Sequence, residues 1–144
     1  MRLIVGMTGA TGAPLGISLL LALRALEVET HLVLSPWARA TIEAETDYSV
    51  REVQGMADRF YGPRDQAAPV SSGSFRTDGM VVIPCSMKTL AAIRAGYGES
   101  LIAQGCGQSI TAVHGAVMSR VMAVSRPLSY SASRMVAAVP SKPS

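Results

Sequence analysis

The sequence predicts an α/β domain built on a doubly wound parallel sheet. Three observations carry this. Short apolar runs occur without alternation, each ends in a turn of small or hydroxyl residues, and each turn opens a segment of helical periodicity. In an α/β fold both faces of the sheet are covered, so its strands read as continuous rather than alternating apolar runs.

Leu3-Ile4-Val5-Gly6-Met7 is the first such run. A glycine-rich turn, Gly9-Ala10-Thr11-Gly12-Ala13, follows it. Leu15, Leu19, Ala22, Leu23 and Leu26 then recur at helical spacing, with Pro14 near the first helical position, where its missing N–H costs nothing. Thr30 to Leu34 reads as a second strand. Ser35-Pro36 starts the next helix, serine as N-cap and proline at N1, and that helix runs through Trp37, Ala40, Thr41 and Ala44. Ser49 and Glu52 fit a capping box that opens a short helix through Val53 and Met56. Residues 59–79 are rich in Gly, Pro, Ser and Asp and read as one long loop, a length that in a compact domain points to function or mobility. Met80 to Cys85 is a third buried strand, and Ser86-Met87-Lys88-Thr89 leads from it into a helix over Leu90 to Ile93.

With 144 residues, 49% hydrophobic and only 16% charged, the chain is one domain's worth, is not disordered, and holds apolar surface beyond what a monomer core needs. The net charge of +3 does not indicate a nucleic-acid partner. Lys and Arg are scattered singly, without a basic stripe or interleaved aromatics. Cys85 and Cys106 make neither a disulfide framework nor a metal set, and His31 and His114 lack partners at ligand spacing, so no metal is expected. Cys85, inside an apolar run, reads as a buried thiol. The apolar start of the chain is broken by Gly6, Gly9, Gly12 and Pro14 and runs into Arg24, Glu27 and Glu29, unlike a signal peptide. No charge-free run reaches membrane-spanning length, so a cytoplasmic protein with no membrane partner is expected.

The composition changes after residue 103. All ten acidic residues lie before that point, whereas residues 104–144 hold eight serines and four basic residues. Ala112, Val113, Ala116, Val117 and Val121 outline a helical stripe that Ser125-Arg126-Pro127 stops.

The chemistry gathers at three strand ends: Thr8 to Gly12, Ser35-Pro36, and Ser86 to Thr89. In a parallel sheet these ends line one edge, where ligands of open α/β folds bind. Each also opens a helix whose first N–H groups favour an anion. Glycines 9 and 12 admit a phosphate close to the backbone, Ser35, Ser86 and Thr89 add neutral hydroxyls, and Lys88 adds a charge. The set suits a phosphorylated ligand with a heteroaromatic body. Thr8 stands where a dinucleotide fingerprint has its first glycine, no acid follows the second strand, and no Gly-Lys-Ser/Thr follows the turn. A plain dinucleotide site and a Walker loop are thereby disfavoured. The competing readings are structural: a tight turn without a ligand at Gly9 to Gly12, a simple N-cap at Ser35, and an ordinary strand-to-helix junction at Ser86 to Thr89. Glu45-Thr46-Asp47, just past a helix end, reads by default as a solvated pair facing an unfavourable dipole. Ser71 to Ser74 reads as a flexible loop. Trp37 and the methionines read as core or subunit contacts.

In order along the chain, Leu3 to Ala13, Glu29 to Ser35, Glu43 to Asp47, Ser71 to Phe75 and Val82 to Leu90 resemble the UbiX-type flavin prenyltransferases, formerly called aromatic-acid decarboxylases. The likeness is nearly continuous over residues 2–102. It implies a flavodoxin-like Rossmann sandwich, incomplete at its C-terminal end in this chain, and a homo-oligomer, commonly a dodecamer. The implied activity is metal-independent transfer of a dimethylallyl group from dimethylallyl phosphate to FMN, the product serving UbiD-type decarboxylases, for example in ubiquinone synthesis. Ionisation of the allyl phosphate would set an allylic cation beside the electron-rich reduced flavin, making stabilisation of the leaving phosphate a main task. By the same resemblance Gly9, Ala10, Thr11, Ser35, Ser86, Met87, Lys88 and Thr89 hold FMN. Glu45 is the acid near the reacting centre, and Thr11, where many relatives carry serine, preserves a catalytic hydroxyl.

After Leu101-Ile102 the family pattern continues with an Arg-Ala-Ala-Asp-Val run and later segments that grip the allyl phosphate, and residues 104–144 depart from it. The division expected is an FMN-binding domain over 1–103 and a non-family tail over 104–144, out of frame or truncated, leaving apolar surface prone to aggregation. Reading the encoding DNA in its other two frames tests this; no Arg-Ala-Ala-Asp-like continuation would sink it. Two alternatives stand beside the transferase: a non-catalytic FMN-binding protein, and a flavin-dependent cysteine decarboxylase of the same superfamily.

Overall fold

The computed structural model describes residues 1–98, 100–105 and 121–123. Its centre is a five-stranded, wholly parallel sheet in the order β3-β2-β1-β4-β5. The strands are β1 (Arg2–Met7), β2 (Glu29–Leu34), β3 (Arg59–Tyr61), β4 (Gly79–Val82) and β5 (Val121–Ala123); the helices are α1 (Ala13–Ala25), α2 (Pro36–Glu45), α3 (Val50–Gln54) and α4 (Met87–Arg94). The chain winds outward from β1 through β2 to β3, then crosses back to β4 on the other side of β1. The strand order therefore reverses between β1 and β4, and a crevice opens there beyond the strands' C-terminal ends. Without the three-residue edge strand β3, the remaining order is the flavodoxin-like one that the sequence led us to expect.

The sheet is buried on both faces. Val5, Met7, Leu32 and Leu34 pack against Ile17, Leu20 and Ile42 on the α1/α2 side. Their neighbours one residue away, Ile4 and Val33, pack on the other face with Met80, Val82, Leu101 and Ile102. Side chains alternate between faces with period two, so both registers had to be apolar. That is why β1 and β2 show no alternation in sequence.

The local start signals of α2 and α3 act as expected. Ser35 Oγ accepts the Ala38 N–H at 3.1 Å and Pro36 opens α2. Ser49 and Glu52 close a full capping box on α3, with Ser49 N donating to Glu52 Oε2 at 2.8 Å. Ser86 caps α4, its Oγ accepting the Thr89 N–H at 3.3 Å. Gly12 precedes α1 with φ of +117°, a conformation that a side chain would strain.

Three expectations need correction. The stretch 59–79 is not one loop. It opens with β3, paired to His31, Leu32 and Val33, and it contains a 3-10 turn at Pro69–Ser71 whose Val70 is buried beside Ala68 in the second core. The strand expected over Met80 to Cys85 runs only from Gly79 to Val82, because Pro84 has no N–H to continue a ladder. Val121, expected on a helical stripe, opens β5 and pairs with Met80. The rest of that stripe, like Cys106 and His114, lies outside the described residues.

Candidate functional site: a cleft at the carboxyl edge of the sheet

Thr8 directly follows β1 and is almost fully buried, 2% exposed. Its Oγ1 donates to the Pro84 carbonyl at 2.8 Å and accepts the Ser86 N–H at 2.7 Å, while its own N–H donates to Pro84 O at 3.0 Å. One side chain thus ties the β1 turn to the β4 turn across the crevice, satisfying backbone groups that a switch point would otherwise leave unpaired.

Gly9, Ser35, Ser86, Lys88 and Thr89 all line one cleft of about 790 Å³, so the strand ends expected to converge do so. Trp37 joins them, and a Cβ on Gly9 would lie 2.3 Å from Trp37 Cβ. The close approach of α2 to the β1 turn requires glycine there. Ser86 Oγ and Thr89 Oγ1 are 3.0 Å apart, a hydroxyl pair at the start of α4. Ser35 is the N-cap of α2 and also lines the cleft. Ala10, Thr11 and Met87 do not line this cleft; Thr11 is exposed on the turn and Met87 is 69% exposed beside the N-cap of α4. Trp37 is 75% exposed and is therefore not core.

Glu45 departs from its default reading. It is the last residue of α2, yet its Oε2 accepts the N–H groups of Gly12 and Ala13 at 2.9 and 3.0 Å. The carboxylate leaves the negative end of its own helix for the positive end of α1, satisfying two donors that begin that helix.

Sequence reasoning missed the contribution from β3. Pro63, Arg64 and Gln66 line the cleft, as do Tyr97 and Ser100. The available signal was Arg59-Phe60-Tyr61 followed by Gly62-Pro63, a short strand with a turn behind it. A three-residue run is too brief to stand out from a loop.

At the opposite end of the sheet, buried His31 has both ring nitrogens engaged, Nδ1 with Tyr61 OH at 3.0 Å and Nε2 with Glu29 Oε1 at 2.9 Å. The bond from His31, then the nearby Arg2, hold the Glu29 carboxyl below its ordinary value. Burial pushes the Cys85 thiol up. Ser72 and Ser74 share a hydroxyl contact of 2.7 Å in an exposed loop at that same end, away from the cleft. Among the described residues no group of three His, Cys, Asp or Glu side chains is placed to hold a metal ion, and no helix is long and apolar enough to cross a membrane.

A strand-order switch point with a glycine-pinched, hydroxyl-lined cleft fits a nucleotide-like cofactor, and the family model described as Flavoprotein matches residues 1–125. The chain belongs to the flavoprotein family. Within it the chain is similar to the UbiX-like members. It is 69% identical over 103 residues to the "Probable UbiX-like flavin prenyltransferase" of Escherichia coli O157:H7, covering 71% of this chain and 52% of that one. The fold superposes on AnUbiX (PadA1), solved in complex with FMN and dimethylallyl pyrophosphate, with a TM-score of 0.82 and 52% identity over 91% of this chain and 67% of that one. It superposes equally, with a TM-score of 0.82 and 56% identity over 92% and 69% of the two chains, on a dodecameric FMN-dependent UbiX-like decarboxylase from Escherichia coli O157:H7. The chain spans about half the length of the curated relatives it matches.

Proposed function

We propose that this chain is a flavin prenyltransferase, transferring a dimethylallyl group from dimethylallyl phosphate to reduced FMN in the cytoplasm. The observation that carries the reading is the convergence of Gly9, Ser35, Ser86, Lys88 and Thr89 on one cleft, in a chain 69% identical over 103 residues to a UbiX-like relative. The cleft fits FMN chemically. Hydroxyls and the cations Lys88 and Arg64 supply donors, and no carboxylate among the described residues lines it. Gly9, Ser35, Ser86, Lys88 and Thr89 would hold the flavin nucleotide, with Ala10, Thr11 and Met87 flanking. The bound reduced flavin would supply the electron-rich ring that accepts the allyl group.

Glu45 and Thr11 are assigned to the reacting centre. The two amide donors fix the carboxylate at the start of α1, where it would face a developing allylic cation with its charge oriented in advance. In the overall reaction the allyl C–O bond breaks, its electron pair leaves with phosphate, and the allyl carbon bonds to the flavin. The product would pass to a UbiD-type decarboxylase, and the active form would be a homo-oligomer, as in the dodecameric neighbour.

Incubating the full chain with dithionite-reduced FMN and dimethylallyl phosphate, followed by mass spectrometry, tests this. A flavin heavier by one prenyl group is expected. FMN bound without product would favour the non-catalytic alternative, and loss of carbon dioxide from a C-terminal cysteine peptide would favour the decarboxylase.

A further inference from the structure

We infer that Arg64, with Arg39 behind it, forms a phosphate-reading lip on the α2/β3 side of the cleft; this rests on the flavin reading above. Three helices open on this edge of the sheet, and the first would be the obvious anion site. It is already filled. The Gly12 and Ala13 N–H groups bond the Glu45 carboxylate, whose charge repels a phosphate brought to the same place. At α2 and α4 one early N–H each is taken by the cap, Ala38 by Ser35 and Thr89 by Ser86. Positive side chains would add to the attraction of the N–H groups that remain.

Arg64 lines the cleft together with Lys88. The cleft continues past Pro36, Pro63 and Arg64 into a groove of about 590 Å³, whose lining adds Arg39 and Asp65. Asp65 is turned into its own loop, its Oδ1 accepting the Ala67 N–H at 3.1 Å. Neither Arg39 nor Arg64 forms an ion pair with a carboxylate among the described residues, as Arg2 does with Glu29 at 2.9 Å. Among the described residues these two guanidiniums have no carboxylate partner, and they border a groove that shares Pro36, Pro63 and Arg64 with the cleft. A guanidinium offers parallel N–H groups that match two phosphate oxygens.

The shared chemistry is a phosphomonoester, from the flavin or from the allyl donor, and four ligands separate the sources. Wild type, Arg64→Ala, Arg64→Lys and Arg39→Ala/Arg64→Ala full chains are titrated with FMN, riboflavin, dimethylallyl phosphate and dimethylallyl alcohol. If the flavin phosphate is read, Arg64→Ala weakens FMN roughly tenfold and leaves riboflavin within about twofold, with Arg64→Lys between. If the donor phosphate is read, dimethylallyl phosphate weakens instead and the alcohol does not. Either pattern supports the lip. Unchanged affinities in the double variant, or equal losses of FMN and riboflavin, overturn it while leaving the flavin reading intact. A wild-type chain that binds neither flavin overturns the flavin reading, and the lip with it.

Discussion

Thr8 was visible in the sequence only as the residue standing where a nucleotide fingerprint has glycine. In the fold its buried hydroxyl is the tie between two strand ends. Thr8→Val keeps the shape and removes the hydroxyl, leaving Pro84 O with one bond fewer and the Ser86 N–H unpaired. A loss of about 1–3 kcal/mol in urea unfolding is expected, with Thr8→Ser recovering most of it. Wild-type stability in Thr8→Val would show that water replaces the tie. Cys85 was legible as buried, and the upward push on its thiol keeps it protonated at neutral pH. In a Cys106→Ala chain, iodoacetamide should label Cys85 slowly at pH 7.5 and quickly only in denaturant. Fast labelling of the folded chain would contradict its burial. The Glu29 carboxyl is lowered from its ordinary value of 4.5. It therefore contributes stability above that value and loses it as pH falls through the lowered one. The drop in melting temperature between pH 5 and pH 3 should be shallower in Glu29→Gln than in wild type; parallel curves would remove Glu29 from the acid response.

Elements were most legible where their signals are local. Serine caps, a proline at N1 and a capping box act within four residues, so the starts of α2 and α3 could be read directly, whereas α4 begins at Met87, three residues before the Leu90 start expected. Ser35→Ala should cost about 1 kcal/mol through the lost Ala38 bond. It should also weaken FMN binding, a second effect that an ordinary N-cap would not have. β3 was not legible, because a three-residue edge strand is specified by its partner β2 rather than by its own pattern. α1 shows the same dependence on a neighbour. A Cβ on Gly16 would meet Met7 Cε at 2.5 Å and the Ile83 carbonyl at 2.8 Å. Gly16→Ala gains roughly 1 kcal/mol of helix propensity and loses about 1–3 kcal/mol to overpacking, so the variant should be the less stable one in urea. A more stable variant would mean that α1 can step back from the sheet.

At the scale of the molecule, the cleft mouth carries exposed Trp37, Met87 and Tyr97, at 75%, 69% and 60%. Such residues beside a ligand site are what a second copy of the chain would cover, in keeping with the dodecameric relative. Sedimentation should give a mass several times 15.1 kDa, falling toward the monomer in Trp37→Asp; a monodisperse monomer of the wild-type chain would refute this. Strand type, helix starts and the residue types of the site follow from nearest-neighbour chemistry and from burial on two faces, and these were readable along the chain. Strand order, the place of β3 and Arg64 at the cleft, and the reach of Glu45 from the end of one helix to the start of another were not. They depend on pairings between residues distant in the chain, such as Arg2 with Glu29, His31 with Arg59 and Glu45 with Gly12, which sequence spacing does not encode and packing alone selects.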